Sequence, residues 1–432
     1  MISMLLLFIL YTFISLKSFV FFMTLIMIFL FLNFNINEVM LIECGFLVDK
    51  FSLMLLILCI FIWLMMLLSE FNKISVINLF KLIFMLLILG VGLVFIVGEY
   101  LTFYMMFEIT LIPMFIYIIF GGGSFDRLEA GIYMLLYTLL VSFPLMMNIF
   151  MIFFDLGSMF MFFEMSSGSL GGYIFILLSF MVKLPMYMFH LWLPKAHVEA
   201  SVSGSMLLAG VMLKMGGYGV LRFMYSLKSL FILYSFIFIS LSLLGSGVAS
   251  VESLRFMDMK ILVAYSSIVH MGIMIVGILS MSVLGLMGGL LLMISHGICS
   301  SGLFGVVNLF YERSGTRSMF FNKGGLILSS FMLFFWFILC VNNISSPPSI
   351  NLFSELFIIG GFINLFFNLL LLVMLIMFWG GVYSIYLFSF SQYGKVSFNI
   401  ILKSFFNMRE VLLMLMHVIP LNFMFLVMDL YI

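Results

Sequence analysis

Leu207-Leu-Ala-Gly-Val-Met-Leu-Lys-Met-Gly-Gly-Tyr-Gly219 lies at the centre of a run, 202–225, in which apolar and small residues surround one lysine. There is no apolar–polar alternation, so a strand of a membrane barrel is excluded. At about 1.5 Å per residue such a run crosses the roughly 30 Å hydrocarbon core of a bilayer as a helix. The pattern repeats along the whole chain, in apolar stretches of 17 to 25 residues. Of 432 residues, 66% are hydrophobic and 8% charged, whereas a soluble domain carries about 25% charged residues. There is too little polar surface for a water-facing skin. Lipid is the solvent, and the backbone satisfies itself in helices.

On this ruler the chain holds about fourteen spans. They run over 2–16, 18–34, 51–69, 76–97, 99–120, 130–154, 172–195, 202–225, 229–248, 258–280, 284–310, 326–362, 365–390 and 411–431. The fold class is therefore an all-α polytopic membrane protein. The twelfth span is too long for one straight crossing, and Pro347-Pro348 divides it. The seventh carries Pro185, which removes an amide donor and leaves the carbonyl of Met181 without its usual partner. These two interrupted spans stand five apart. The spacing predicts two five-helix repeats, the second inverted, as in many transporters. The resulting division is 1–75 for the first three spans, 76–225 and 226–390 for the repeats, and 391–432 for a loop and the last span.

The net charge of +1 and the lack of a basic tract give nucleic acid no electrostatic footing. The four cysteines, Cys44, Cys59, Cys299 and Cys340, have neither disulfide nor zinc spacing. The five histidines do not form the repeated axial pair of a membrane haem. Gly121-Gly-Gly followed by Ser124-Phe-Asp-Arg reads as a turn, not as a phosphate cradle. No cofactor or metal is expected on this chain. The N-terminal run has neither a signal cleavage pattern nor an Arg-rich presequence. It reads as the first span of a protein made where it is used. The 42 Met and 56 Phe suit an AT-biased genome such as a mitochondrial one.

The informative residues are charges inside apolar runs, each costing about 2.5–3.5 kcal/mol at mid-bilayer. Glu108, Lys183, Lys214 and Glu355 are of this kind. The bland reading of each is a side chain snorkelling to the interface or paired for packing. Glu108 is deep, because Glu99 and Asp126 mark the ends of its span. Tyr187 and His190 follow Lys183 at helical spacing. Glu355 follows the proline break, where the N-terminus of a half-helix favours an anion. A Glu–Lys contact at about 4 Å contributes roughly 4 kcal/mol at an effective dielectric of 20. Making or breaking a Glu108–Lys183 contact would then switch whether Lys183 keeps its proton, and Lys214 and Glu355 would pass it on. His296, His270, Ser266 and Ser267 are candidate relay groups along that route, with Tyr187 beside Lys183. His190 and His197 read as packing residues.

The run Met181-Val-Lys-Leu-Pro-Met-Tyr-Met-Phe-His-Leu-Trp-Leu-Pro-Lys-Ala-His-Val-Glu-Ala200 resembles the signature of the chain 4 family of respiratory complex I, NADH:ubiquinone oxidoreductase. So do Phe107-Glu-Ile-Thr-Leu-Ile-Pro113, Leu213-Lys-Met-Gly-Gly-Tyr-Gly219, Ala264-Tyr-Ser-Ser-Ile-Val-His-Met271, Ser295-His-Gly-Ile-Cys-Ser-Ser301 and Pro348-Ser-Ile-Asn-Leu-Phe-Ser-Glu-Leu356. Ser201 departs from the proline usual in the family. The resemblance implies a fourteen-helix, antiporter-like subunit of the membrane arm, in the mitochondrial inner membrane. It matches Glu108 and Lys183 to the family's acid–lysine pair, Lys214 to its central lysine, Glu355 to the acid of its broken helix, and His296 to the histidine of its eleventh helix. It implies that FMN, iron–sulfur clusters, NADH and ubiquinone are bound by other subunits. It also implies contacts with two other antiporter-like chains, with a lateral helix from one of them, and with membrane lipids. A subunit of a multisubunit cation/proton antiporter would share the fold and the charges. A non-pumping scaffold would have lost one of the four charges.

Overall fold

The computed structural model describes residues 40–42, 45–70, 78–121, 126–161, 163, 169–324, 330–363, 367–394 and 407–426. The expected spans 2–16 and 18–34, Cys44, the core of the Gly-rich turn and the end of the last span lie outside them. A short antiparallel pair, β1 (Met40–Ile42) and β2 (Phe46–Val48), precedes the helices. Helices then follow in order: α1 (Lys50–Ser69), α2 (Asn78–Ile96), α3 (Tyr100–Gly121), α4 (Arg127–Leu156), α5 (Leu170–Lys183), α6 (Trp192–Glu199) and α7 (Val202–Ser226). After them come α8 (Lys228–Ser253), α9 (Met259–Leu279), α10 (Val283–Ser314), α11 (Ser330–Asn343), α12 (Ile350–Ile363), α13 (Phe367–Gln392) and α14 (Met408–Leu426). Among the described residues, nine helices are long and apolar enough to cross a membrane, with shorter apolar helices beside them. Every expected span from the third onward has its helix. The strand pair replaces the loop expected before the third span.

Both interruptions are present. The seventh span divides into α5 and α6, and the twelfth into α11 and α12. The Met181 carbonyl does not stay vacant at Pro185, because the Met186 amide donates to it at 3.1 Å. The Val182 carbonyl is taken by the Trp192 indole N–H at 3.0 Å. Met188, at φ 84°, turns the chain in the left-handed region between the two halves. At the second break, the Asn351 side chain donates to the Asn342 carbonyl at 2.7 Å, tying α12 back onto α11. Side-chain and turn donors thus replace the ladder where it stops, as buried backbone requires.

Lipid tails are as apolar as leucine, so helix packing here depends on close approach rather than on a hydrophobic drive. An 18-residue stretch of α7 and one of α10 are wholly buried, and the same length of α9 is 94% buried, whereas that of α4 is only 22% buried and offers its apolar surface outward. Glycines set the inner spacing. A Cβ on Gly216 of α7 would stand 3.2 Å from both the Phe180 carbonyl oxygen and the Leu184 nitrogen. The lysine-bearing turn of α7 therefore lies directly against the α5 break. A Cβ on Gly288 of α10 would stand 2.8 Å from the Ile358 nitrogen and 2.9 Å from the Ser354 oxygen, both main chain of α12. Gly288→Ala is accordingly expected to push α12 outward and destabilise the subunit by about 1–3 kcal/mol, the usual range for overpacking. Thermal dissociation of the assembled protein would read this, and an unchanged midpoint would contradict it.

At the far end of α7, Arg222 donates to Tyr218 Oη at 2.8 Å and pairs with Asp49 Oδ2 at 2.5 Å. That pair joins the start of α1 to α7 and fixes the helix that carries Lys214 along its length.

Candidate functional site

Lys214 is the thirteenth of 25 residues in α7, His270 the twelfth of 21 in α9, and His296 the fourteenth of 32 in α10. All three therefore sit at mid-helix, and all three side chains are buried. Lys183 ends α5 at the break, and Glu355 belongs to the half-helix α12.

Lys183 is buried, and its ammonium donates to the Phe107 carbonyl at 3.2 Å. It also stands 2.8 Å from the centre of the Phe107 ring, a cation–π contact. Its docking point is thus one residue from Glu108, on α3. The expected Glu108–Lys183 contact is not closed, since neither Glu108 carboxylate oxygen has a hydrogen-bond partner. Lys183 is held by main chain and ring instead, and the acid stands open beside Ser142 of α4.

Lys214 is fully buried. The turn before it, Leu208–Met212, is a π-helical segment. Such a turn loosens the i→i+4 ladder and is frequent at functional sites. Lys214 Nζ donates to the Ala209 carbonyl within this turn, and lies 3.1 Å from His296 Nδ1. The His296 ring centre is 5.5 Å from that of His270. His270 Nδ1 is 3.4 Å from Glu355 Oε1, and its Nε2 is 3.4 Å from the Tyr383 hydroxyl of α13. Four of the predicted residues therefore form one buried row, Lys214–His296–His270–Glu355. Glu355 lies more than a turn inside α12, where an end dipole has weakened. Its close partner is His270. Tyr383 was not singled out from the sequence, because a tyrosine in an apolar run carries no distinctive pattern.

Other buried atoms here accept or donate no hydrogen bond within the protein: His296 Nε2, Asn351 Oδ1 and Asn342 Nδ2. Leaving a buried polar atom unpaired costs about 1–3 kcal/mol, and proteins seldom do so. Such atoms are places where a bridging water would be favoured.

The remaining predicted groups are placed differently. Ser266 and Ser267 are buried, but their hydroxyls donate to Val263 and Ala264 carbonyls of their own helix at 2.7 and 2.6 Å. Tyr187 turns to α8, donating to Glu252 Oε1 at 3.4 Å. His190 stacks on Tyr187, and His197 stacks on Phe304 with ring centres 4.6 Å apart. Ser201 is the N-cap of α7 at φ −60°, and its hydroxyl accepts from the Gly204 amide at 3.4 Å. That φ is the value a proline would impose, so the local bend survives with a capping hydroxyl added.

Residues 97–382 match the family described as NADH:quinone oxidoreductase/Mrp antiporter, TM. Among curated proteins, NADH-ubiquinone oxidoreductase chain 4 of Ceratitis capitata is 42% identical over 352 residues, covering 81% of this chain and 79% of that protein. Chain 4 of Apis mellifera ligustica is 39% identical over 410 residues, covering 93% and 90%. The chain belongs to the NADH-ubiquinone oxidoreductase chain 4 family. Two solved structures have the chain 4 fold. A chain of respiratory complex I from Thermus thermophilus with bound NADH superposes with a TM-score of 0.85 at 20% identity, covering 95% of this chain and 92% of that one. A chain of the Mrp complex from Dietzia sp. DQ12-45-1b gives 0.81 at 15%, covering 91% and 79%. Both likenesses speak to the fold. The chain 4 family membership makes this a multi-pass membrane protein of complex I type.

Proposed function

We propose that this chain is a proton-translocating subunit of the membrane arm of NADH:ubiquinone oxidoreductase in the mitochondrial inner membrane. The observation that carries this reading is the continuous row Lys214–His296–His270–Glu355, whose four side chains are all buried inside the helical bundle. Intramembrane ionisable groups are expensive, and in transporters they mark ion pathways. NADH, FMN, iron–sulfur clusters and ubiquinone are handled by other subunits, while this chain moves protons. Two other antiporter-like chains and a lateral helix are its expected neighbours. The division at 76–225 and 226–390 places one broken helix in each of two inverted repeats.

The step begins with Lys183 protonated against the Phe107 carbonyl. Approach of Glu108 to about 4 Å would add roughly 4 kcal/mol of attraction at an effective dielectric of 20. Closing the contact retains the proton, and opening it releases the proton across the Gly216 contact towards Lys214. Lys214 hands its proton to His296 Nδ1, water carries it to His270, and Glu355 accepts it with Tyr383 orienting the imidazole. A multisubunit cation/proton antiporter would use the same fold, but the relatives at about 40% identity are complex I chains.

Glu108→Gln removes the switch without changing shape. NADH-driven proton uptake in sealed vesicles should fall roughly tenfold, the loss of one general acid–base group at its mildest. The complex should stay assembled. Full turnover at full proton stoichiometry in this variant would remove Glu108 from the relay.

A further inference from the structure

The α5–α6 break has a second polar face, which the row above does not use. Tyr187 lies along α8. A Cβ on Gly245 would overlap its Cβ, so the bare glycine makes the seat for the ring. The hydroxyl then reaches Glu252, two turns further along α8, and donates to Oε1 at 3.4 Å. The Tyr187 ring stacks on His190 with centres 5.0 Å apart and an 18° tilt. His190 meets the edge of Tyr265 from α9 at 6.0 Å. His190 is only 5% exposed, and its Nδ1 makes no hydrogen bond within the protein, which leaves that nitrogen free to take or give a proton. Glu252 is half-buried one residue before the end of α8, and Arg255 beyond it is exposed. The titratable groups around Glu252 are Tyr187 and His190 from the break and Tyr265 from α9. A carboxylate at the aqueous edge is thus joined to a phenol and an imidazole, and these lead back to the break that Lys183 ends.

We propose that Glu252 is the proton-loading carboxylate at the mouth of an inlet that feeds Lys183. Glu252 takes a proton from bulk water and becomes neutral. It yields that proton to His190, and the imidazolium passes it through water to neutral Lys183, leaving Glu252 ionised again. Tyr187 is a positioning residue that holds the carboxyl towards the break. The inference rests on the relay reading above and names where that relay is filled.

Glu252→Gln separates loading from tethering, since the amide oxygen still accepts from Tyr187 but cannot carry a proton. In the assembled complex in sealed vesicles, E252Q should slow proton-coupled quinone reduction roughly tenfold, the scale of losing one proton-transfer group. NADH oxidation by a soluble artificial acceptor should be unchanged. Glu252→Asp keeps the carboxyl and should retain most of the rate. If E252Q runs at full rate while Lys214→Met is slow, the inlet is wrong and the relay stands. If both run at full rate, the relay itself is wrong. An E252Q chain that does not assemble, or an E252D chain as slow as E252Q, would make Glu252 a structural tether and overturn the proposal.

Discussion

Replacing Lys214 by methionine should lower proton-coupled quinone reduction by about 100-fold or more, as expected when an obligatory proton carrier is removed. Methionine fills a similar volume in this fully buried site and brings no charge. Its structural cost is the loss of partners for the Ala209 carbonyl and for His296 Nδ1. Each unpaired atom costs about 1–3 kcal/mol, and a water bridging the two would offset part of that. The complex should therefore assemble, and the defect should lie in proton movement. Lys214→Arg sharpens the test. Arginine keeps the positive charge and can still donate to both neighbours, but it does not release its proton at any working pH. If charge alone mattered, K214R would be active; if transfer matters, it should be as slow as K214M. Proton uptake by sealed vesicles, measured beside NADH consumption, distinguishes the two outcomes.

His270→Gln should have the next largest effect, a loss of roughly 100-fold in the same assay. His270 lies between His296, 5.5 Å away centre to centre, and Glu355 at 3.4 Å. Glutamine can hydrogen-bond to both neighbours, yet cannot take up and release a proton near neutral pH. Tyr383→Phe removes only the hydroxyl 3.4 Å from Nε2, so its loss should be several-fold smaller. Equal and full activity in H270Q would show that protons reach Glu355 by another path.

The sequence carried much of this arrangement, for physical reasons that also define where it stopped. Glu108, Lys183, Lys214 and Glu355 were legible because a charge in an apolar run has no cheap alternative explanation. Pro185 and Pro347-Pro348 announced the breaks because proline removes a helical donor. The partners that make the groups a row were harder to find. His270 is a candidate from its place in an apolar run, but its position between His296 and Glu355 exists only once α9, α10 and α12 come together. Tyr383 depends on how α13 meets α9, which no local pattern encodes. The π-helical turn at Leu208–Met212 has no residue signature, and its sequence reads as plain α-helix. For Ser266 and Ser267 the sequence gives the residue type but not the direction of the hydroxyl, and in the fold each donates to a carbonyl of its own helix. The open Glu108–Lys183 arrangement was also beyond reach, since a sequence names partners and not which of two contacts a side chain makes.

The two lysines have something in common in what they touch. Lys183 rests on a main-chain carbonyl and an aromatic face, and Lys214 on a main-chain carbonyl. These acceptors welcome an ammonium, but none of them can keep its proton. The charge is parked against dead ends. Among the described residues, the side chain that Lys214 meets within hydrogen-bond distance is that of His296. A resting subunit arranged in this way would offer a stray proton few ways through, because leaving Lys214 would mean passing to an imidazole.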